Sequence, residues 1–320
     1  MKLRMCHSYS FPTPLLLLAA ALATVQLSYA APQSPRNASA SSSKLRSQAE
    51  NGDAVAQYNL AQSYLRHDPT IENYQSALKW LRVSAAQGNA SAEFLLGYLY
   101  EHGQGVPRDY AKAAENYRAA ALQGHSSAEN NLASLLQHGQ GVPKNIGKAF
   151  EWYLASAQHG NAVGQCNLAT LYYRGSGTRR DYKEAARWFR AAADSGSAEA
   201  QNSLAVSYYK GLGVELDYTE AARWLRLAVQ QGLPSAETNL AYLYEQGRGL
   251  PLDYVAAYAW YSSALAAGDA SGADRRKQIS HLLTRKQIDE ATSLLTTFSS
   301  PSQQQPSPPA AGSFSLLQSH

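Results

Sequence analysis

Small and apolar residues return in step along most of this chain. Glycine stands at Gly52, Gly88, Gly124, Gly160, Gly196, Gly232 and Gly268, a constant spacing of 36 residues. Taking each glycine as offset zero divides the chain into six blocks: 52–87, 88–123, 124–159, 160–195, 196–231 and 232–267. Offset 4 is small (Ala56, Ala92, Ala128, Gly164, Ala200, Ala236), and offset 8 is leucine in every block, from Leu60 to Leu240. Offset 9 is small again. Offset 12 is tyrosine in five blocks and Leu136 in the third. Spacings of four, four and five put these positions on one face of an α-helix. The small residues admit a neighbouring helix, and Leu and Tyr fill the gap.

A second amphipathic helix follows in each block. Offset 25 is alanine throughout, from Ala77 to Ala257, and offset 32 is Ser or Ala. Offset 28 reads Trp80, Asn116, Trp152, Trp188, Trp224, Trp260 and holds all five tryptophans. A residue that recurs in register predicts packing, here with tryptophan as the bulky anchor, and truncation to alanine would cost about 3–5 kcal/mol.

Between the two helices five blocks carry Gly-x-Gly, beginning at Gly103, Gly139, Gly175, Gly211 and Gly247. Glycine permits the positive φ that ends a helix. The first block has His67 and Pro69 instead and needs another turn. Asp109, Asn145, Asp181, Asp217 and Asp253 then read as N-caps, and Glu184 and Glu220 as the second halves of capping boxes. Asp53, Asn89, Asn161, Ser197 and Asp269 cap the first helices and the closing segment.

Such hairpins cannot bury their apolar faces singly, so the pattern predicts an all-α solenoid of six 36-residue helix-turn-helix repeats. Lys44 to Asn51 reads as half of a preceding second helix, and 268–298 as a closing helix or helix pair, so the solenoid spans 44–298. Residues 31–43 and 299–320, rich in Ser, Pro, Gln and Ala, read as disordered.

The first thirty residues change the compartment. Lys2 and Arg4 precede an apolar run from Pro14 to Val25, and Ser28-Tyr29-Ala30 supplies small residues for cleavage after Ala30. This predicts a periplasmic or secreted protein with no stable membrane insertion after cleavage. Without residues 1–30 the net charge falls from +4 to about +2, too little for a nucleic-acid partner. Cys6 would leave with the leader, and Cys166 is expected to remain as a partly covered lone thiol.

The run from Ala92 to Ala113, with Gly97, Tyr100, Gly103, Gly105 and Asp109, resembles a Sel1-like repeat, a relative of the tetratricopeptide repeat. Lys183 to Ala193 resembles that family's second helix. The resemblance covers roughly residues 44–298. It implies a right-handed superhelix whose first helices line a concave surface, and adaptor roles in periplasmic regulation, envelope assembly or contact with host proteins. A cysteine-rich branch of the family is linked to penicillin binding and β-lactam hydrolysis; this chain lacks its cysteines, so that activity is not carried over.

With first helices on the concave side, offsets 7 and 14 become the candidate groove. Asn59, Asn131, Asn167 and Asn239 form an asparagine ladder suited to an extended peptide backbone. Arg66, His102, His138, Arg174 and Lys210 form a basic column that suits an extended or acidic segment. The alternative is local: asparagine bonded to the neighbouring helix, and cations at the negative end of the helix dipole. Arg82, Arg118, Arg190 and Arg226 at offset 30 read as a solvated outer face with their stems packed flat.

The expectation is therefore an exported scaffold or regulator holding a partner protein. The alternatives are a secreted virulence factor on a host protein and a cell-wall or β-lactam hydrolase. No metal or cofactor is expected, because no ligand cluster and no catalytic constellation stands out of the repeat.

Overall fold

The computed structural model describes residues 35–66 and 69–298. The leader, with its cleavage after Ala30, the turn residue His67 and the tail 299–320 lie outside the described residues. Among those described there are fifteen α-helices, one short 3-10 turn at Ala270–Gly272, and no strand. A first helix α1 (Pro35–Glu50) is followed by six pairs. These are α2 (Ala54–Tyr64) with α3 (Ile71–Ala86), α4 (Ala90–His102) with α5 (Tyr110–Ala121), and α6 (Ser126–His138) with α7 (Ile146–Gln158). Then come α8 (Ala162–Arg174) with α9 (Tyr182–Asp194), α10 (Ala198–Lys210) with α11 (Tyr218–Gln230), and α12 (Pro234–Gln246) with α13 (Tyr254–Ala266). Two helices, α14 (Ala273–Ser280) and α15 (Arg285–Phe298), pack on α13 and close that end. Each helix packs mainly on the ones before and after it in sequence, as in an α-solenoid. Helix α1 begins at Pro35, not at Lys44. Proline is tolerated in a first turn, and the Ala/Ser run behind it contains no helix breaker.

The predicted core columns are where the spacing put them. Offsets 8, 9 and 25 are buried in all six repeats, from Leu60, Ala61 and Ala77 onward. The small residues are needed: a Cβ on Gly97 would run into the ring of Tyr117, and one on Gly164 into Ser156. At offset 32 serine is accommodated because its hydroxyl donates to a carbonyl of the paired helix, Ser84 Oγ to Ala54 O at 2.6 Å and Ser156 Oγ to Ser126 O at 2.8 Å.

The bulky anchor is not tryptophan. Only Trp224 is buried; the other four are half-buried. The next column, offset 29, carries Leu81, Tyr117, Tyr153, Phe189, Leu225 and Tyr261, each no more than 1 % exposed. At about 100° per residue, offset 29 lies inside the stripe defined by offsets 25, 26 and 32, and offset 28 lies on its rim. The rim tryptophans hold cations instead: Arg187 lies 4.6 Å from the Trp188 ring centre, Arg223 4.3 Å and Arg190 5.4 Å from that of Trp224.

Turn chemistry follows the Gly-x-Gly pairs. Gly211 closes α10 in the left-handed conformation, with φ of 65°. Gly213, also at positive φ, presses on the first turn of the preceding repeat's second helix, where a Cβ would collide with the backbone of Tyr182. The second glycine thus sets the distance between repeats. Asp181 and Asp217 cap as expected, each accepting two backbone N–H groups. The capping boxes are not closed, however. The N–H of Asp181 donates to Tyr172 O and that of Asp217 to Tyr208 O, while Glu184 and Glu220 take Arg187 and Arg223 as partners. In the third repeat His125, unremarkable in the sequence, caps α6 through Nδ1.

Cys166 is 2 % exposed, because offset 6 faces a neighbouring helix, and it is buried rather than partly covered; among the described residues no cysteine stands as a free thiol.

Candidate partner-binding surface

The asparagine ladder divides. Asn59 is exposed and Asn131 half-buried, while Asn167 and Asn239 are 5 % and 4 % exposed. Asn167 donates through Nδ2 to Asn130 Oδ1 at 2.9 Å, joining α8 to α6, and Asn130 donates to Asn131 Oδ1 at 3.0 Å. Asn239 donates to Asn202 Oδ1 at 2.7 Å, joining α12 to α10. These amides hold successive first helices together and are not open to a peptide. A helix in a solenoid touches its own partner, the preceding second helix and the next first helix, so it buries more than one stripe.

The basic column is open. Arg66, His102, His138, Arg174 and Lys210 are all exposed. His102 and His138 each place Nδ1 at 2.9 Å from a carbonyl one turn back, Tyr98 O and Ser134 O, and His102 stacks on Tyr98. The column lies at the carbonyl ends of the first helices, where basic groups are favoured, and it leaves its side chains facing solvent. Among the described residues no three of His, Cys, Asp and Glu converge as a metal cluster would, and no helix is long and apolar enough to cross a membrane.

Beside Lys210 the structure gathers a patch that the columns did not reveal. Tyr209 packs edge-on against Tyr242, with ring centres 5.8 Å apart, and against Tyr218 at 5.3 Å. Arg248 donates to the Tyr209 hydroxyl at 2.5 Å and lies over the Tyr218 ring. Arg275 sits 4.5 Å from the Tyr242 ring centre and is held at 2.7 Å by Glu245. Burial, reinforced by Tyr242, pushes the Tyr209 phenol up to about 12, so it stays a neutral donor. Half-buried tyrosine framed by arginine is the composition of binding hot spots. The signal was present in the excess of tyrosine, but its members come from offsets 10, 13, 16 and 22, which no single column unites.

A polar ladder at offset 5 also escaped the sequence. Gln57, Glu93, Glu129 and Gln201 are buried, and each meets offset 35 of its own repeat. Gln87 and Gln231 donate to Gln57 and Gln201, Gln123 donates to Glu93 at 2.7 Å, and His159 lies 2.9 Å from Glu129. Burial raises the Glu93 carboxyl above its usual range, partly offset by the Gln123 bond.

Comparison places this architecture. The Sel1 repeat model matches six consecutive segments, 54–89, 90–125, 126–161, 162–197, 198–233 and 234–269, with the period expected and a phase two residues later. The chain is a member of the Sel1 repeat family, whose proteins generally act as non-enzymatic scaffolds for protein–protein interaction. Among solved structures it is similar to c5321, described as a protective antigen present in uropathogenic Escherichia coli strains and displaying an SLR fold. That match has 31 % identity and a TM-score of 0.70 over 80 % of this chain, which spans only 56 % of the length of c5321. It is also similar to a Sel1 repeat protein from Oxalobacter formigenes, at 28 % identity and a TM-score of 0.66, over 79 % of this chain and 99 % of that one. A comparison with curated protein sequences returns no match.

Proposed function

We propose that this protein is an exported scaffold that holds a partner protein on the face formed by its first helices. The observation that carries this is the row of exposed basic side chains, Arg66, His102, His138, Arg174 and Lys210, beside the Tyr209–Tyr242–Arg248–Arg275 patch. Long-lived protein contacts favour such a surface: aromatic area for burial, and cations that steer an acidic segment into register. The backbone behind it is preformed, so little ordering entropy is lost on binding. The leader-like first thirty residues support a periplasmic or secreted location.

A photo-crosslinking residue at Lys210 is expected to capture a partner from envelope or extracellular fractions that the same residue at Arg226 does not. Glutamate at Arg66 and Arg174 should abolish that capture; equal capture from both positions, or none lost in that variant, overturns the reading. A second reading, contact with a host protein, is favoured by the similarity to c5321, a protective antigen. The same crosslinker exposed to host secretions separates the two. The exported protein should have an intact mass lacking residues 1–30, and an intact mass that retains them would count against export by a cleaved leader.

A further inference from the structure

A clasp recurs at three of the seams between a second helix and the next repeat. The offset-30 arginine reaches the tyrosine at offset 12 of the following repeat: Arg46 to Tyr64 at 3.0 Å, Arg82 to Tyr100 at 3.4 Å, and Arg190 to Tyr208. Arg190 also lies over Trp224, the rim tryptophan of that following repeat. The same register predicts that Arg118 meets position 136 and Trp152. Position 136 is leucine. Arg118 makes no hydrogen bond, ion pair or ring contact among the described residues, and no cation lies over Trp152, which follows Glu151 where other repeats have Lys79, Arg187 and Arg223. At this seam, beside Leu136, there is an open cleft of about 640 Å³. Leu136, Val142 and the half-buried Trp152 give it an apolar floor, and Arg118, Lys144 and Lys148 stand at its rim against a single acid, Glu151. None of those three cations has an ion-pair partner among the described residues.

We propose that this cleft is a second docking site, separate from the first-helix face, for an acidic peptide segment that carries an aromatic residue. The aromatic ring takes the place of the missing tyrosine, against Leu136 and Trp152 and within reach of the Arg118 guanidinium. Flanking Asp or Glu side chains pair with Lys144 and Lys148, the charge balance at the rim being two cations in excess of acid. An apolar floor with three cations around it favours this chemistry over a purely apolar helix, which would leave those cations unpaired, and over a polyanion, which makes no use of the floor.

The test is selection of a displayed library of ten-residue peptides on the full chain, with counter-selection on Leu136→Tyr, which rebuilds the clasp and fills the cleft. The enriched peptides are expected to contain Phe, Tyr or Trp beside Asp or Glu. A synthetic peptide from the pool, followed by fluorescence anisotropy, should bind Leu136→Tyr and Arg118→Ala at least ten-fold more weakly than the unaltered chain. Leu136→Tyr should unfold at the same temperature or higher, which separates blocking from misfolding. Peptides without acids, no enrichment at all, or equal binding by Leu136→Tyr and Arg118→Ala would overturn the proposal. Arg174→Glu with Lys210→Glu should leave this peptide's affinity unchanged; if that pair abolishes binding, the occupant belongs to the first-helix face and the cleft is not its site.

Discussion

At the boundary between the fourth and fifth repeats, Arg190 reaches Tyr208 and lies over Trp224, so the groove between helices is bridged. At the boundary between the second and third, the same construction is reached with Arg118, Leu136 and Trp152, and a cleft remains. The backbones at the two places are alike: the helices have 12 or 13 residues, and both loops carry Gly-x-Gly. Leu136 in place of Tyr208, and Glu151 in place of Arg223, separate the open seam from the clasped one. In a repeat protein the fold is carried by the positions that recur, and specificity is free to sit wherever recurrence lapses, because a lapse on the rim costs little stability.

The largest test of that division concerns core against rim. Phe189→Ala or Tyr153→Ala, in the fully buried column, is expected to cost about 3–5 kcal/mol. Trp188→Ala, next to Phe189 but half-exposed, should cost only about 1–2 kcal/mol, from partial burial and its cation contact. Denaturant titration of the variants checks the order; a tryptophan variant worse than its buried neighbour would restore tryptophan as anchor. Next, Tyr208→Leu should open the closed seam, losing about 1 kcal/mol and gaining a pocket like that at Leu136. Leu136→Tyr is the reverse exchange and should gain roughly 0.5–1 kcal/mol if Arg118 takes up the phenol. Thermal melts of this pair, singly and together, measure the symmetry directly.

The smallest effect compares polar ladders. Repeats one and five pair Gln with Gln at offsets 5 and 35, and repeat two pairs Glu93 with Gln123. Burial raises the Glu93 carboxyl, so the folded state holds its proton to higher pH than the unfolded chain does. The protonated form is favoured by folding. That contribution is present below the unfolded value near pH 4 and is lost as pH rises through the folded value. Glu93→Gln should therefore stabilise at pH 7, by on the order of 0.5 kcal/mol, and make no difference near pH 3. An equal gain at both pH values would mean that burial of the charge is not the cause.

Much of the fold was legible in the sequence because solenoid packing repeats each side-chain environment. Leu at offset 8 and Ala at offset 25 declare their faces by recurrence alone. The errors share one cause: a single core stripe was assumed for each helix. Asn167 and Asn239 looked outward on that assumption, yet their helices also bury a side against the neighbouring first helices. Tryptophan reads as the anchor because its column is the most distinctive, whereas Phe189 does the packing from a column whose identity varies among Leu, Tyr and Phe. The capping boxes failed for a related reason, since the N–H that Glu184 would have accepted from was already donated to Tyr172 across the turn. The aromatic patch around Tyr209 could not be read from columns at all, as it draws on four offsets from neighbouring repeats.

That each helix touches mainly its sequence neighbours has a mechanical outcome. A pull on the two ends is passed from one seam to the next, with no long-range tie to share it. The molecule should lengthen elastically at small loads by tilting its hairpins, then yield one hairpin at a time, each step releasing about 36 residues of contour. The seams without the clasp, that beside Leu136 among them, are where the first step should start.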